Sequence, residues 1–264
     1  MRGLAIVALL IGVSAHGQTK PAPRTIEGIF DRFTTDELGN IYALQGDVFR
    51  LIDPQGQQLA RNSLNTLGAI TRIDAFYSLK PMIFSRGQGQ LALLDNTLSV
   101  QADVLDLPRA GFPQVTEVCM SVQNAFWFFD ERALSLVRVD PQLRPLANTG
   151  RLDQLLGWTP HPTYLVEADS WLYVCDPEHG VLLFDLFGTY ARTLPVLGAT
   201  TIDVRNGAIW YMAQGGLHRY DLLTMETTDV AWPIPMDEMI VRDVRIERGA
   251  LYLLLPDRIT IMPL

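Results

Sequence analysis

The sequence predicts an all-β chain, a six-bladed β-propeller with four-stranded blades, on three observations. A signature made of a small or turn residue and then two or three apolar residues, usually with an aromatic, recurs six times. A second apolar run follows each copy and mostly ends on Asp. An unassigned strand-like segment stands ahead of the first copy, while the last copy lacks its fourth strand. Self-similarity with a period of this size marks solenoids, propellers and arrays.

The copies begin at Gly39-Asn40-Ile41-Tyr42, Lys80-Pro81-Met82-Ile83, Asn124-Ala125-Phe126-Trp127, Ser170-Trp171-Leu172-Tyr173, Gly207-Ala208-Ile209-Trp210 and Gly249-Ala250-Leu251-Tyr252. Taken as markers, Tyr42, Ile83, Trp127, Tyr173, Trp210 and Tyr252 stand 41, 44, 46, 37 and 42 residues apart. The second runs close on Asp53, Asp95, Asp140, Asp185 and Asp221, and the sixth has Pro263 in that place. Asp at the first position of a tight turn accepts backbone N–H groups. The row of acids therefore reads as hairpin turns at the periphery and not as a metal or acid/base array.

Aromatic and β-branched enrichment in short runs between turn residues says strand, not helix. About forty residues hold four short strands, and radial repetition of such sheets protects their edges. The segment Thr25–Phe30 is predicted to supply the outer strand of the last blade and so lock the ring.

The chain has 264 residues, 48% of them hydrophobic, enough for a sizeable core. No linker divides it, so residues 18–264 are expected to form one domain. Residues 1–17 read as a secretory signal peptide: Arg2, the apolar run Leu4–Val13, then Ala15 and Gly17, with cleavage before Gln18. The apolar run is too short to span a bilayer, which takes ~20 residues. The mature chain is expected to have no transmembrane segment and to lie outside the cytoplasm, periplasmic, outer-membrane-associated or extracellular. A net charge of −8 with scattered basic residues leaves no footprint for a phosphate backbone, so nucleic acid is not an expected partner. Cys119 and Cys175 lie inside apolar runs and are read as buried free thiols.

The phrase Thr35-Asp36-Glu37-Leu38-Gly39-Asn40-Ile41-Tyr42, followed by Asp53-Pro54-Gln55-Gly56, resembles the repeats of six-bladed propellers of the NHL, strictosidine synthase-like and lactonase (SMP-30-like) superfamily. The pattern covers the whole mature chain and is sharp in the first copy. The resemblance implies architecture more than activity, because such propellers bind, scaffold or catalyse.

In a propeller the first strand of each blade lines a central channel. Just before the markers lie Asp31, Arg32 and Asp36; Arg72 and Asp74; Glu117; Glu167 and Asp169; Asp203 and Arg205; and Arg242, Asp243 and Arg245. Lactonase-type relatives hold a divalent cation at the channel mouth, so the resemblance implies an alternative in which Asp74, Glu117, Asp203 and Asp243 hold Ca²⁺ or Mg²⁺. The competing reading pairs these carboxylates with the arginines and calls for no cofactor. His161, His179 and His218 fall in unlike contexts, so neither a histidine metal cluster nor a Ser-His-Asp constellation is expected.

Three connectors are longer and more apolar than a turn needs, Leu107–Gln114, Leu152–Pro162 and Val230–Asp237. Propeller topology puts them on one face, and Leu152–Leu156 suits one helical turn. Phe112, Trp158, His161, Trp232 and Met236 are the candidate binding residues there, either as an interface or as a lid over the blade cores. The leading expectation is a non-catalytic binding or scaffolding propeller with a protein partner in the cell envelope, accessory to a secretion or assembly machine. The alternative is a metal-dependent lactonase-like hydrolase.

Overall fold

The computed structural model describes residues 22–77, 80–232 and 240–264; the predicted signal over residues 1–17 and the candidate Met236 lie outside the described residues. The chain opens with β1 (Arg24–Glu27). Blade 1 is β2 (Arg32–Thr35), β3 (Ile41–Gln45), β4 (Val48–Ile52) and β5 (Gln58–Ser63). Blade 2 is β6 (Arg72–Asp74), β7 (Met82–Ser85), β8 (Gln90–Leu93) and β9 (Leu105–Asp106). Blade 3 is β10 (Val115–Ser121), β11 (Ala125–Asp130), β12 (Ser135–Val139) and β13 (Pro145–Asn148), followed by the single helical turn α1 (Leu152–Leu156). Blade 4 is β14 (Tyr164–Ala168), β15 (Trp171–Asp176), β16 (Gly180–Asp185) and β17 (Tyr190–Leu194). Blade 5 is β18 (Ile202–Arg205), β19 (Ala208–Ala213), β20 (Gly216–Asp221) and β21 (Thr227–Val230). Blade 6 is β22 (Asp243–Glu247), β23 (Ala250–Leu254) and β24 (Arg258–Pro263), completed by β1.

The ring closes as the sequence predicts. β1 runs antiparallel to β24, with Thr25 opposite Thr260 and Ile26 opposite Ile259. The inner strands β2, β6, β10, β14, β18 and β22 neighbour one another all the way round. Six apolar clusters fill the six gaps between blades. The gap between blades 6 and 1, for instance, holds Ile26, Phe33, Ile41, Tyr252 and Ile259. A blade pressed between two others is buried on both faces, so β11 is buried throughout and carries no polar alternation.

The Asp-ended turns behave as predicted. One carboxylate oxygen of Asp53 accepts the N–H groups of Gln55 and Gln57, and Asp95, Asp140, Asp185 and Asp221 each do the same for two backbone groups of their turns. These turns share one face of the disc with the turns between first and second strands; we call it the turn face. The connectors Leu107–Gln114 and Leu152–Pro162 lie on the opposite, connector face.

One marker needs correction. Tyr42, Trp127, Tyr173, Trp210 and Tyr252 each pair with the residue two before the turn Asp or Pro263, and each packs toward the following blade. In blade 2 that place belongs to Met82, opposite Leu93. Ile83 stands one residue on and packs back against blade 1, since a one-residue shift in a strand reverses the side chain's face.

Candidate functional site

The inner strands bring seven charged side chains to one cavity of about 590 Å³ on the turn face: Arg72 and Asp74 from β6, Glu167 from β14, Asp203 and Arg205 from β18, and Arg245 and Glu247 from β22. A smaller cavity of about 180 Å³ opens on the connector face and is lined by Arg32, Arg86, Glu117 and Asp243. Arg72, Tyr164 and Arg245 line both and form the waist between them. The guanidinium carbon of Arg72 lies 3.6 Å from the Tyr164 ring centroid, and that of Arg245 lies 5.6 Å away. Cation–π contact of this kind strengthens as water is excluded.

Neighbouring blades are stitched together by these groups. Asp74 Oδ2 accepts the Met120 N–H of blade 3 at 3.0 Å. Asp203 Oδ2 accepts the Ile246 N–H of blade 6 at 2.7 Å, and Arg205 donates to Glu247 at 3.0 Å. Glu167 reaches from blade 4 to blade 3, where it accepts from Ser121 Oγ at 2.5 Å, the Val122 N–H at 2.9 Å and Trp127 Nε1 at 2.9 Å. Arg72 reaches across the channel from blade 2 to blade 4, where it donates to the Leu165 carbonyl at 2.8 Å. Charge-assisted bonds of this kind are stronger than neutral ones.

Burial pulls the Arg245 guanidinium down, but Asp243, the Tyr164 ring and Asp203 outweigh it and hold it above its ordinary value. Burial likewise opposes the Asp203 and Glu247 carboxylates at Arg205, and again the acids prevail. Tyr164 is pushed up by burial, against the pull of Arg245 and Arg72. The waist thus packs the Arg72 and Arg245 guanidiniums against one buried tyrosine ring.

The four metal candidates do not converge. Asp74 and Asp203 line the turn-face cavity, whereas Glu117 and Asp243 line the connector-face one. Each is also engaged. Asp74 accepts the Phe76 N–H besides that of Met120, Glu117 is paired with Arg86, and Asp243 accepts from Arg245 and the Val244 N–H. Among the described residues no group of three or more His, Cys, Asp or Glu is placed to hold a metal.

Of the other channel candidates, Asp31 lines an open cleft between blades 1 and 2, Arg242 is exposed, and Asp36 turns into its own hairpin to accept the Leu38 and Asn40 N–H groups. Asp169 stands exposed on the rim of the large cavity. Glu247, Arg86 and Tyr164 are channel residues that sequence reasoning missed. Glu247 lies before the Arg248-Gly249 turn, and its place one strand-period beyond Arg245 was the available signal.

The connector aromatics lie half-buried against the gaps between blades. Phe112 meets Phe128 edge to face at 5.6 Å, and Trp158 stacks on His179 at 3.5 Å. Trp232 packs on the core between blades 5 and 6. His161 is exposed, while its N–H is held by the buried Asp176 at 2.8 Å. His179 shares Asp176, and His218 pairs with Asp229 at 2.9 Å; none of the three histidines lines either channel cavity. Cys119 and Cys175 are free and buried in different gaps, and burial pushes the Cys175 thiol up to about 12.

No protein-family model matches the chain, and no curated protein matches its sequence. Solved structures do match its shape. A streptogramin B lyase structure is 12% identical with a TM-score of 0.63, over 91% of this chain and 96% of that one. A virginiamycin B lyase from Staphylococcus aureus, solved with quinupristin as a histidine-to-alanine variant described as catalytically inactive, is 12% identical with a TM-score of 0.60 over 88% of this chain and 79% of that one. A predicted exported protein from Bacteroides fragilis NCTC 9343 is 9% identical with a TM-score of 0.61, over 93% of this chain and 97% of that one. At such identities the likeness is one of architecture, and that architecture is the six-bladed β-propeller.

Proposed function

We propose that this chain is an exported, non-catalytic binding propeller that holds a protein partner of the cell envelope on its turn face. The observation that carries the reading is a departure within the chain's own repeat. Two residues after the turn Asp, blades 1, 2 and 3 place Gln55, Thr97 and Gln142. Blades 4 and 5 place Phe187 and Leu223 there, 81% and 89% exposed. Exposed Trp171 stands opposite Asp185 at the root of the same turn, and exposed Met225 lies 3.9 Å from Arg192 of blade 4. Exposed apolar side chains thus stand on the turn face of two neighbouring blades, with Arg192 of one touching Met225 of the other. Contiguous exposed apolar groups with an aromatic and an arginine are what protein interfaces use.

The channel favours this reading over the hydrolase alternative. Asp74, Glu117, Glu167, Asp203 and Asp243 accept from N–H groups, side chains or arginines of their own and the adjacent blades, which is a structural use. The lyase neighbour described as catalytically inactive carries a histidine-to-alanine change, and neither channel cavity here is lined by a histidine. Export rests on residues 1–17 and agrees with an exported protein among the structural neighbours.

The test places a photo-crosslinking phenylalanine analogue at position 187 and irradiates the protein in intact envelopes. A discrete protein adduct that the Leu223→Ser and Met225→Ser changes abolish supports the reading. Adducts indifferent to those changes reject it, and a melting shift with CaCl₂ that chelator reverses would favour the hydrolase.

A further inference from the structure

Three residues that line the turn-face cavity each carry a buried polar atom without a hydrogen-bond partner among the described residues: Arg72 Nε, Arg245 Nε and Thr35 Oγ1. Both arginines are 7% exposed. Buried polar groups are ordinarily paired, and an unpaired one carries a free-energy cost, so these side chains are held at the cavity without their full set of partners. At the rim the exposed carboxylates of Glu37 and Asp169 belong to blades 1 and 4, on opposite sides of the ring. Phe76 and Tyr77, half-buried and packed edge to face at 4.8 Å, give the cavity an apolar wall.

Charge decides among ligand classes. The lining holds the carboxylates of Glu37, Asp74, Glu167, Asp169, Asp203 and Glu247 against the guanidiniums of Arg72, Arg205 and Arg245, an excess of three negative charges. That excess repels an anion, while the two guanidiniums at the waist repel a cation that reaches the floor. A neutral ligand rich in hydroxyls meets neither penalty, because each hydroxyl both donates and accepts. The cavity volume of about 590 Å³ falls within the ~300–1,000 Å³ of small-molecule sites.

We propose that the turn-face cavity binds a neutral saccharide. Its ring lies against Phe76 and Tyr77, and its hydroxyls are shared between the Arg72 and Arg245 guanidiniums inside and the Glu37 and Asp169 carboxylates at the rim.

Saturation-transfer NMR on the mature chain tests this with methyl α-D-glucopyranoside, methyl α-D-mannopyranoside and N-acetylglucosamine. D-Glucuronate and D-glucosamine serve as charged counterparts. Transfer to at least one neutral sugar is expected, with weaker transfer to both charged ones. The Glu37→Gln/Asp169→Asn double variant should bind about tenfold more weakly with an unchanged melting point; Asn suits the left-handed backbone at Asp169, whose φ is 49°. Silence from all three neutral sugars, preference for either charged one, or unchanged affinity in the double variant overturns the proposal.

Discussion

Replacing Glu167 by alanine should unfasten blade 4 from blade 3. The side chain is 2% exposed and satisfies three donors, of which Trp127 Nε1 is itself fully buried. Alanine leaves that indole N–H and the Val122 N–H without a partner, at roughly 1–3 kcal/mol each, and adds a void. Relief of the buried carboxylate offsets part of this, so the net loss is about 3–5 kcal/mol, as for other broken buried polar pairs. A domain of this size loses about 2–4 °C of melting temperature per kcal/mol, which gives a drop of roughly 6–20 °C. Glu167→Gln keeps the shape and one acceptor and should fall between the wild type and the alanine variant. Calorimetry on these variants, on Trp127→Phe and on the double substitution gives the coupling directly. A Glu167→Ala protein that melts within about 2 °C of the wild type, or a cycle with no coupling between Glu167 and Trp127, would refute the stitching argument.

Two further predictions concern the turns and the connectors. The Asp221 carboxyl is held at about 2 by the Thr224 N–H, the Arg219 side chain and the Leu223 N–H. A carboxyl lowered in the folded state stabilises it above the unfolded value of about 3.9 and loses that contribution as pH falls toward the folded value. Asp221→Asn should therefore narrow its stability gap to the wild type between pH 5 and pH 2, read by acid titration of the circular dichroism; a constant gap would contradict the assignment. Trp158 and Trp232 half-cover separate gaps between blades, so each change to alanine should cost roughly 1.5–2.5 kcal/mol, about half the loss at a fully buried site. The two costs should add, because the sites are remote. Melting that is insensitive to both would mean that the rings do not act as lids.

Ring closure, the Asp turns and the helical turn at Leu152–Leu156 were all legible, because each is written in local chemistry: turn residues, an orphan strand, a short apolar run. The facing of Ile83 was not. Met82, Ile83 and Phe84 are all buried, so nothing in that run distinguishes the side toward blade 1 from the side toward blade 3. Asp74, Glu117, Glu167, Asp203 and Asp243 do lie on inner strands, whereas Asp31, Asp36 and Asp169 fall just beyond them, and the division of the acids between two cavities depends on where along a strand of three to seven residues each one falls. Phe187 and Leu223 were visible in the sequence as apolar residues, but their exposure follows only once the Asp turns are known to stand on a face. The connector aromatics left interface and lid open in the sequence, because a Pro-rich loop alone does not tell whether a ring points to solvent or folds onto a neighbouring gap; Phe112, Trp158 and Trp232 lie half-buried against those gaps.

The pairing of β1 with β24 also sets an order of events. β1 leaves the ribosome well before β24, so the circle can be completed only after the blades between them exist. Bringing together segments so remote along the chain is entropically slow. Until it happens, β24 presents an unpaired border able to accept a strand from another molecule. A β1 peptide supplied in excess during refolding should therefore compete for that border and retard recovery of the native state, whereas the same peptide added after closure should find no place to dock.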